Sequence, residues 1–520
     1  MSTSYFRELS PELKRILGLK WPPIAVRLVT KDESSSVLPE ESKNAAPATE
    51  DHVQNLVIGA GFGGYVAAIR LGQLGREVML VEKELLGGVC LNVGCIPSKV
   101  LVRAAKLMKQ ISRAPDFGIE TSRPKVNLEK LQLWKKNVIE KLRTGVAYLC
   151  KSNHVNIVYG EARFQASHQV QIKTKNESRI ITADNIIIAT GSRPMELPSL
   201  KFDADFIVTT TEALSLTEAP QNFVIVGGGV SGLELGMSYA RFGSHVTVIE
   251  MLDQLLPGVD PELVRVVERT LRKLGVETYV KARANWAREG KVGVQLADGK
   301  EIEVPADKVM VAVGRRPNSD QIGLETTSVK TDSAGFIQVN SQMQTSEPGI
   351  YAIGDVVGMP MLAHKASKQG KVAAEAITGQ ASAADSKAMP SGIWTEPEIA
   401  TVGLSEAEAR KQGYDLIVGK FPFTALGRAL AVGETEGFVK VIADKKNEQI
   451  LGVHMVGSDV TDLISEAALA IEMGATLDDL ASTIHPHPTL PESLMEATEA
   501  AKGKAIHILK PPSGGANPRD

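Results

Sequence analysis

Two cysteines, Cys90 and Cys95, lie close together in the stretch GGVCLNVGCIPSK at residues 87–99. Closely spaced cysteines can bind a metal ion, form a structural disulfide or act as a redox couple. Paired glycines precede this cysteine pair, and Pro97 and Lys99 follow it. The spacing alone leaves all three chemistries open, so the elements that position the pair must decide between them.

The composition of the chain narrows the setting of this chemistry. With 520 residues, of which 43% are hydrophobic, the chain is long enough for several domains. It contains only 3 cysteines, which argues against the disulfide framework of an oxidising compartment. A cysteine pair in such a chain is typically catalytic or metal-binding, and we expect a cytoplasmic location.

The charge and hydropathy patterns argue against two classes of partner. The formal net charge is -3, and lysine and arginine are dispersed along the sequence. This pattern lacks the basic surface that binding to nucleic acids or anionic membranes requires. The sequence shows no uncharged apolar run long enough to span a bilayer and no signal-peptide pattern at its start. We therefore expect neither nucleic acid nor membrane as a partner.

The first part of the chain differs in composition from the rest. Residues 33–52 are rich in Ser, Glu, Ala and Pro without apolar periodicity, which is typical of a linker. Residues 1–32 carry apolar residues at helical spacing but are too few to form an independent core. They are interpreted as an N-terminal appendage of unknown role, which either packs on the body of the protein or docks a partner.

An internal repeat predicts the elements that surround the cysteine pair. LVIGAGFGGYVAAIRLGQLGREVMLVEKE at residues 56–84 matches VIVGGGVSGLELGMSYARFGSHVTVIEML at residues 224–252. Each copy is predicted to form a strand, a glycine-rich turn, a helix and a second strand that ends in an acid. This is the fingerprint of a dinucleotide-binding unit, in which the glycines let a pyrophosphate approach a helix N-terminus and the acid accepts hydrogen bonds from a ribose. The fingerprint residues are Gly59, Gly61, Gly64 and Glu82 in the first copy and Gly227, Gly229, Gly232 and Glu250 in the second.

Each copy is later followed by a strand that ends in a related turn. These are IIIATGSRP at residues 186–194, which contains Gly191, and VMVAVGRRPN at residues 309–318, which contains Gly314. The first unit is therefore the longer one, and its extra length holds the cysteine pair and a predicted helical stretch over residues 97–150. Two dinucleotide sites in one chain suggest electron transfer between two cofactors, because a simple dehydrogenase needs only one.

Short motifs in a fixed order link the chain to a known family. GGVCLNVGCIPSK, ATGSRP, GGGVSGLELG, AVGRRPN, YAIGD and HPHPTLPE occur in the order and approximate spacing of the two-dinucleotide flavoprotein disulfide reductases, the class I pyridine nucleotide-disulfide oxidoreductases. Within this family the chain resembles the dihydrolipoamide dehydrogenases over residues 53–508. The resemblance implies an α/β fold with two Rossmann-like dinucleotide-binding domains, for FAD and NAD, plus a C-terminal α+β dimerisation domain.

The resemblance also implies a division of the chain into domains and an oligomeric state. The expected domains are an FAD-binding domain with the cysteine pair at residues 53–195, an NAD-binding domain at 196–319, a central part that completes the FAD domain at 320–389, an interface domain at 390–508 and a flexible tail at 509–520. The expected active unit is a homodimer.

For the cysteines, the resemblance implies a reversible disulfide beside the flavin. Cys90 would be the thiol that exchanges with lipoamide, and Cys95 the thiolate next to the flavin. A zinc site would need further ligands that the sequence does not offer near this pair, and a structural disulfide would gain little stability from closing so short a loop. No metal is therefore expected. Cys150, in GVAYLCKSNHVNIV, is interpreted as a core cysteine.

Other residues take roles in electron transfer and cofactor binding from the same resemblance. Lys99 and Glu234 would form an ion pair near the reactive edge of the flavin. Asp355, in GIYAIGD, would contact the ribityl chain of FAD, and Glu82 its adenosine ribose. Glu250 would accept hydrogen bonds from the free 2′-hydroxyl of NAD and would repel a 2′-phosphate.

The acid–base group is expected near the other end of the chain. Thiol–disulfide exchange needs a proton acceptor near neutral pH, which imidazole supplies. In STIHPHPTLPE the resemblance assigns His487 as the base and Glu492 as the acid that orients it, while His485 supports the turn. It also implies a cis peptide bond before Pro488 and a composite site, in which His487 of one subunit serves Cys90 of the other.

The implied activity is the oxidation of dihydrolipoamide, free or on a lipoyl domain, with NAD as the final acceptor in a 2-oxo-acid dehydrogenase or glycine cleavage complex. Sister activities fit less well. Glutathione-type reductases carry basic residues for NADPH at the position where this chain has MLDQLLPG after Glu250. Mercuric reductases carry a C-terminal cysteine pair, which KPPSGGANPRD lacks. Soluble transhydrogenases lack the redox pair that this chain has. A pure assembly role is disfavoured because the cysteine pair, His487 and Glu492 are all present.

Overall fold

The structure is a computed structural model that describes residues 50–509. The predicted N-terminal appendage and nearly all of the predicted linker and tail lie outside the described residues. The first strand begins at Glu50, so residues 50–52, which were predicted as linker, belong to that strand.

The first part of the described chain alternates strands and helices. It begins with a strand, a turn, a helix and a second strand, as predicted for the first repeat. In chain order the elements are β1 (Glu50–Ile58), α1 (Phe62–Gln73), β2 (Val78–Glu82), α2 (Gly88–Val93), α3 (Cys95–Ser112), a 3-10 helix (Ala114–Phe117), α4 (Leu128–Ser152), β3 (Val155–Tyr159), β4 (Glu161–Ala166), β5 (Gln169–Lys173), β6 (Ser178–Ile188) and β7 (Ser192–Pro194).

The prediction of one helical stretch over residues 97–150 is wrong. Helix α3 ends at Ser112, and α4 begins only at Leu128. Gly118, with φ of 75°, and Pro124 lie in the break; a left-handed backbone ends a helix, and proline cannot donate a helical hydrogen bond. The side chain of Asn127 then starts α4 by accepting a hydrogen bond from the backbone N–H of Lys130 at 2.9 Å.

The middle of the chain contains the second repeat, again as strand, turn, helix and strand. In chain order the elements are β8 (Ile207–Val208), α5 (Thr210–Ala213), β9 (Asn222–Val226), α6 (Val230–Phe242), β10 (His245–Ile249), α7 (Pro261–Lys273), β11 (Glu277–Tyr279), β12 (Arg283–Arg288), β13 (Lys291–Gln295), β14 (Glu301–Pro305), β15 (Lys308–Val311) and β16 (Arg315–Pro317).

The last part of the chain returns to the first sheet and then forms a separate one. In chain order the elements are a 3-10 helix (Leu324–Thr326), β17 (Ile350–Ala352), a 3-10 helix (Gly354–Val357), α8 (Ala363–Ile377), β18 (Ser391–Ile393), β19 (Glu398–Gly403), α9 (Glu406–Lys411), β20 (Leu416–Pro422), a 3-10 helix (Phe423–Ala425), α10 (Gly427–Ala431), β21 (Phe438–Asp444), β22 (Ile450–Gly457), α11 (Val460–Met473), α12 (Leu477–Ser482) and α13 (Glu492–Ala501).

The first sheet has the strand order β3-β2-β1-β6-β5-β4, and β17 also pairs with β6. Strands β3, β2, β1, β6 and β17 pair in parallel, whereas β4 and β5 form an antiparallel extension. Leu56, Leu80 and Ile187 are fully buried, because parallel strands are covered on both faces. The carboxyl ends of the parallel strands meet at one edge, which is where α/β sheets bind ligands.

The second sheet has the order β11-β10-β9-β15-β8 and is parallel throughout. Strands β12, β13 and β14 form a small antiparallel sheet beside it. The short antiparallel pair of β7 and β16 joins the two repeats, with Ser192 opposite Pro317. The chain segments that follow β6 and β15 are therefore held against each other.

The C-terminal sheet has the order β18-β19-β22-β21-β20 and is antiparallel. Helix α11 packs on β19 and β22, and α13 packs on β20 and β21. Phe421, Val441 and Met455 are fully buried beneath them and form part of a separate core. Two sheets with parallel cores, followed by an α+β unit, form the architecture that the family resemblance implied.

One helical segment among the described residues, Gly88–Ser112, is long and apolar enough to cross a membrane by length and composition alone, with a mean hydropathy of 1.2. This is weak evidence, because core helices pass the same test. The segment is not an uncharged run, since it contains Lys99 and Arg103, and its helix is interrupted at Gly94.

Candidate active site

The turn between β1 and α1 requires glycine at the positions where two backbone segments pack closely. Gly59 has φ of +99°, and a Cβ atom on it would lie 2.4 Å from the carbonyl oxygen of Ala189. A Cβ atom on Gly64 would lie 1.8 Å from the carbonyl oxygen of Gly59. Gly61, the N-cap of α1, has nothing within 4 Å of where its Cβ atom would be. This open N-terminus of a helix fits a pyrophosphate.

The turn between β9 and α6 repeats this geometry. Gly227 has φ of +110°, and a Cβ atom on it would lie 2.4 Å from the carbonyl oxygen of Ala312. A Cβ atom on Gly232 would lie 2.1 Å from the carbonyl oxygen of Gly227. Gly229, the N-cap of α6, again has nothing within 4 Å. The second turn therefore fits a second dinucleotide.

The acids that end the second strand of each repeat are held in the same way. Both oxygens of Glu82 accept backbone hydrogen bonds, from the N–H of Ala60 and of Glu84, each at 2.8 Å. Glu250 accepts the corresponding bonds from the N–H of Gly228 at 2.7 Å and of Leu252 at 2.8 Å. Both carboxylates are buried at the end of their turn, where each could accept a ribose hydroxyl.

The later turns also adopt backbone conformations that favour glycine. Gly191 has φ of +70° and Gly314 has φ of +126°, and neither has an atom within 4 Å of where its Cβ atom would lie. The carbonyl oxygen of Gly191 accepts a hydrogen bond from the N–H of Asn318 at 2.9 Å, and that of Gly314 accepts one from the N–H of Met195 at 3.0 Å. Each turn is therefore tied to the segment that follows the other.

Asp355 follows β17 and belongs to a partly buried polar network that the sequence analysis did not identify. Its Oδ2 accepts a hydrogen bond from Ser192 Oγ at 2.5 Å, and Ser192 Oγ accepts one from Arg315 Nε at 2.8 Å. Burial lowers the pKa of Arg315, and the charge of Asp355 opposes this shift. The only sequence signal for Ser192 and Arg315 is that each directly follows the glycine of a later turn.

The two cysteines form a disulfide, with 4.6 Å between their Cα atoms. Cys90 lies in the short helix α2, and Cys95 is the first residue of α3. Cys90 is partly buried and Cys95 is exposed. A thiol at a helix N-terminus is stabilised as the thiolate, so this position favours the reactive form of Cys95 once the disulfide is reduced.

Lys99 and Glu234 form the ion pair that the sequence predicted, with 2.8 Å between Nζ and Oε2. Lys99 lies on α3 and Glu234 on α6, so the pair joins the two repeats. Glu234 is buried, and its Oε1 accepts a hydrogen bond from the N–H of Trp394 at 2.9 Å. The Lys99 Nζ also lies 4.0 Å from the centre of the Trp394 ring. No sequence signal pointed to Trp394.

His487 and Glu492 form the predicted imidazole–carboxylate pair, with 2.8 Å between Nδ1 and Oε1. The peptide bond between His487 and Pro488 is cis, as predicted. Burial raises the pKa of Glu492, but the hydrogen bond from the N–H of Thr489 and the interaction with His487 outweigh it, so the net shift is downward. The Nδ1 atom of His485 donates a hydrogen bond to the carbonyl oxygen of Thr483 at 2.9 Å, and its Nε2 atom lies 2.8 Å from Oε1 of Glu466.

His487 and the cysteine pair have no direct contact with each other among the hydrogen bonds of the described residues. The structure gives no hydrogen bond between His487 and either cysteine of the pair within residues 50–509, and the His487 side chain is 77% exposed. Cys150 is free and buried, as predicted, and burial raises the pKa of its thiol to about 11. It therefore takes no part in this site.

This arrangement, with two dinucleotide turns, a disulfide at a helix N-terminus and an exposed imidazole, defines a class of redox protein. Residues 53–370 match the family of pyridine nucleotide-disulphide oxidoreductases, and residues 389–498 match the dimerisation domain of that family. The chain belongs to this family. Its fold class, its oxidoreductase activity and its cofactors FAD and NAD were predicted correctly, and the dimerisation domain supports the predicted homodimer.

Curated relatives give the likeness in more detail. The dihydrolipoyl dehydrogenases of Geobacillus stearothermophilus and of Bacillus subtilis strain 168 are each 47% identical over 459 residues, which is 88% of this chain and 97% of each relative. The dihydrolipoyl dehydrogenase of Haloferax volcanii is 46% identical over 462 residues, 87% of this chain and 97% of that relative.

Solved structures share the fold. LpdA from Mycobacterium tuberculosis has a TM-score of 0.80 and 26% identity, covering 86% of this chain and 99% of that chain. The HOCl-induced flavoprotein disulfide reductase RclA from Escherichia coli, solved as a Cu(II) complex, has a TM-score of 0.78 and 26% identity over the same shares of the two chains.

Proposed function

We propose that the chain is a dihydrolipoyl dehydrogenase, which oxidises the dithiol of dihydrolipoamide and reduces NAD. The observation that carries this proposal is the Cys90–Cys95 disulfide at the start of α3, beside the ion pair that links the two dinucleotide units. Relatives of that name at 47% identity support the choice of substrate within the family.

The cysteine pair would accept the electrons of the substrate by thiol–disulfide exchange. One substrate thiolate attacks the sulfur of Cys90, and Cys95 leaves as a thiolate. The second substrate thiol then attacks the sulfur bonded to Cys90, which releases the Cys90 thiol and the cyclic disulfide of lipoamide. The substrate loses two electrons and two protons, and the enzyme disulfide is reduced to the dithiol level. Bound FAD would supply the route by which this electron pair reaches NAD as a hydride.

His487 would hold the proton that leaves the substrate thiol, and Glu492 would fix its orientation through the bond to Nδ1. That bond leaves Nε2 as the nitrogen that faces the reaction. Because His487 is exposed in the single subunit, we place it at the cysteine pair of the other subunit, so that a homodimer has two composite sites. His485 supports the turn from its buried position.

The cofactors would be held by the turns described above. FAD would bind Gly59, Gly61, Gly64, Glu82, Lys99, Gly191 and Asp355, and NAD would bind Gly227, Gly229, Gly232, Glu250 and Gly314. In this division residues 53–195 and 320–389 form the FAD domain, residues 196–319 the NAD domain and residues 390–508 the interface domain. The partner in a larger assembly would be a lipoyl domain of a 2-oxo-acid dehydrogenase or glycine cleavage complex, in the cytoplasm.

Steady-state kinetics with lipoamide, glutathione disulfide and mercuric ion, each with NADH and with NADPH, test this function. We expect lipoamide with NADH to be preferred, and NADPH to be worse by at least about 100-fold, because placing like charges together costs several kcal/mol. Glu250→Gln keeps the size and removes the charge, so it should narrow the gap between the two cofactors. Equal or better efficiency with NADPH, or with either other substrate, would refute the proposal.

A further inference from the structure

Trp394 contacts both members of the ion pair beside the disulfide. Its ring lies over the Lys99 ammonium, 4.0 Å from Nζ, and its backbone N–H donates to Glu234 Oε1 at 2.9 Å. The other oxygen of Glu234 accepts from Lys99 at 2.8 Å. Each oxygen of the buried carboxylate therefore has its own donor, and the ammonium lies between a carboxylate and an aromatic face.

The position of the ammonium matters because of its place on α3. Cys95 and Lys99 are one helical turn apart, so their side chains lie on the same face of the helix. A positive charge on that face favours the thiolate of Cys95, and hence the reduced form of the disulfide. The Lys99 side chain is 32% exposed, so a long flexible chain could turn its charge towards water if nothing held it.

The end of β18 leaves space for the ring of Trp394. Trp394 directly follows β18, and Gly392 lies two positions earlier on the same face of the extended chain. A Cβ atom on Gly392 would lie 2.9 Å from Cη2 of the Trp394 ring, so a side chain there would displace the ring. Because Gly392 has no side chain, the ring can occupy its position over Lys99.

We infer that Trp394 is a positioning residue of the disulfide centre: its ring keeps the Lys99 ammonium on the Cys95 face of α3, and this favours reduction of the Cys90–Cys95 disulfide. The inference rests on the proposed redox role of that disulfide. It does not require lipoamide to be the substrate, because any thiol couple that equilibrates with the cysteines reports the same equilibrium.

The experiment measures the equilibrium constant between the Cys90–Cys95 disulfide and its dithiol in the holoenzyme. The protein is equilibrated at fixed pH with mixtures of reduced and oxidised dithiothreitol, quenched with acid, alkylated and analysed by mass spectrometry. Cys150 is alkylated in every sample after denaturation and serves as an internal standard. Trp394→Leu keeps the backbone N–H, so it removes only the ring.

We expect Trp394→Leu to shift this equilibrium about two- to tenfold towards the disulfide, the range expected for losing a partly buried cation–π contact. Trp394→Phe and Trp394→Tyr should shift it less, because they keep an aromatic face. Gly392→Ala should shift it in the same direction as Trp394→Leu, by pushing the ring aside. Trp286→Leu is the matched control, because Trp286 also faces a cation, Arg288, at 5.0 Å, but away from this site, and it should leave the equilibrium unchanged.

A double-mutant cycle with Lys99→Met decides whether the ring acts through the ammonium. In the Lys99→Met background, Trp394→Leu should cause no further shift. The same shift in both backgrounds, or no shift from Trp394→Leu, Trp394→Phe and Gly392→Ala in the native background, would overturn the inference. The experiment measures a thiol–disulfide equilibrium, whereas a failure of the proposed function would appear as absent lipoamide turnover. The two failures can therefore be distinguished.

Discussion

The two cysteines of the pair occupy different environments although they are bonded to each other. Cys95 begins α3, where the unpaired N–H groups of the first turn and the Lys99 ammonium favour a negative sulfur. Cys90 is the third residue of the short helix α2 and does not begin a helix as Cys95 does. We therefore propose different tasks for these chemically identical side chains.

Single-cysteine variants of the holoenzyme should separate these tasks. We expect Cys90→Ser to show a long-wavelength absorption band from a thiolate beside oxidised FAD, and to be inactive with lipoamide. Cys95→Ser should lack the band and also fail in turnover. Both variants should retain FAD. Spectra across a pH titration check this, and a band in Cys95→Ser alone would reverse the two roles.

Cys150 should be unreactive in the folded protein. Its thiol is buried, and with a pKa raised to about 11 it is neutral at pH 8, where alkylating reagents need the thiolate. Iodoacetamide should therefore label no cysteine of the oxidised native protein at pH 8, and one cysteine per chain after unfolding. Cys150→Ser is the control, in which the label on the unfolded, oxidised chain should disappear. Rapid labelling of native protein would contradict the burial of this side chain.

At the scale of elements, each repeat consists of a strand, a turn and a helix. The helix packs against the turn through glycines, where no side chain fits between the two backbones. The contact between Gly64 and Gly59 in the first repeat has a counterpart between Gly232 and Gly227 in the second. The two turns are equivalent in geometry but belong to different sheets, so their effects on the two cofactors should be separable.

Alanine at these glycines should therefore remove one cofactor at a time. Gly64→Ala places a Cβ atom 1.8 Å from a carbonyl oxygen and should abolish FAD binding, measured by flavin absorbance per subunit. Gly232→Ala places one at 2.1 Å and should keep FAD while weakening NAD binding at least about tenfold, because a strained turn must shift. Gly145→Ala, in α4 with nothing within 4 Å, is the control and should retain both cofactors. Normal flavin content in Gly64→Ala would argue against FAD at the first turn.

At the scale of the whole molecule, the C-terminal part exposes the proposed base and several large apolar side chains. The His487 side chain is 77% exposed. Ile484 at 94%, Ile506 at 79% and Leu509 at 95% are large apolar residues that are exposed in the single subunit. Ile484 lies within the matched dimerisation domain, residues 389–498, and Ile506 and Leu509 follow it. Such exposed apolar side chains fit a surface that a second copy covers.

Mixed dimers should test whether the active site is shared. Cys90→Ser and His487→Gln subunits are each expected to be inactive alone. Mixed under conditions of subunit exchange, they should regain activity, because a heterodimer has one site with both an intact cysteine pair and an intact His487. Mixing Cys90→Ser with Cys95→Ser subunits is the control and should restore nothing. Verified exchange without recovery would place the base and the cysteines in one subunit.

Local patterns predicted the two dinucleotide-binding units, and the family resemblance implied the paired residues of the site. The glycine-rich turns were predictable because their constraints act between neighbours, as between Gly59 and Gly64, and because strands and helices of the repeat follow short-range periodicity. The cysteine pair and the pair of His487 and Glu492 are also close in sequence. The break between α3 and α4 also has local signals, Pro115, Gly118 and Pro124, which the prediction of one helical stretch did not take into account.

Apart from the Lys99–Glu234 ion pair, which the family resemblance implied, only the tertiary structure decided the contacts between distant segments. One such contact places the ring of Trp394 over Lys99, and another links Ser192 to both Asp355 and Arg315. No sequence pattern relates these residues to one another. The pairing of β17 with β6 is likewise set by the sheet, since the long crossover between these parallel strands does not by itself specify which strand β17 joins. The sequence by itself determined which groups could do the chemistry, whereas the packing of separate elements determined which side chains hold their charges in place.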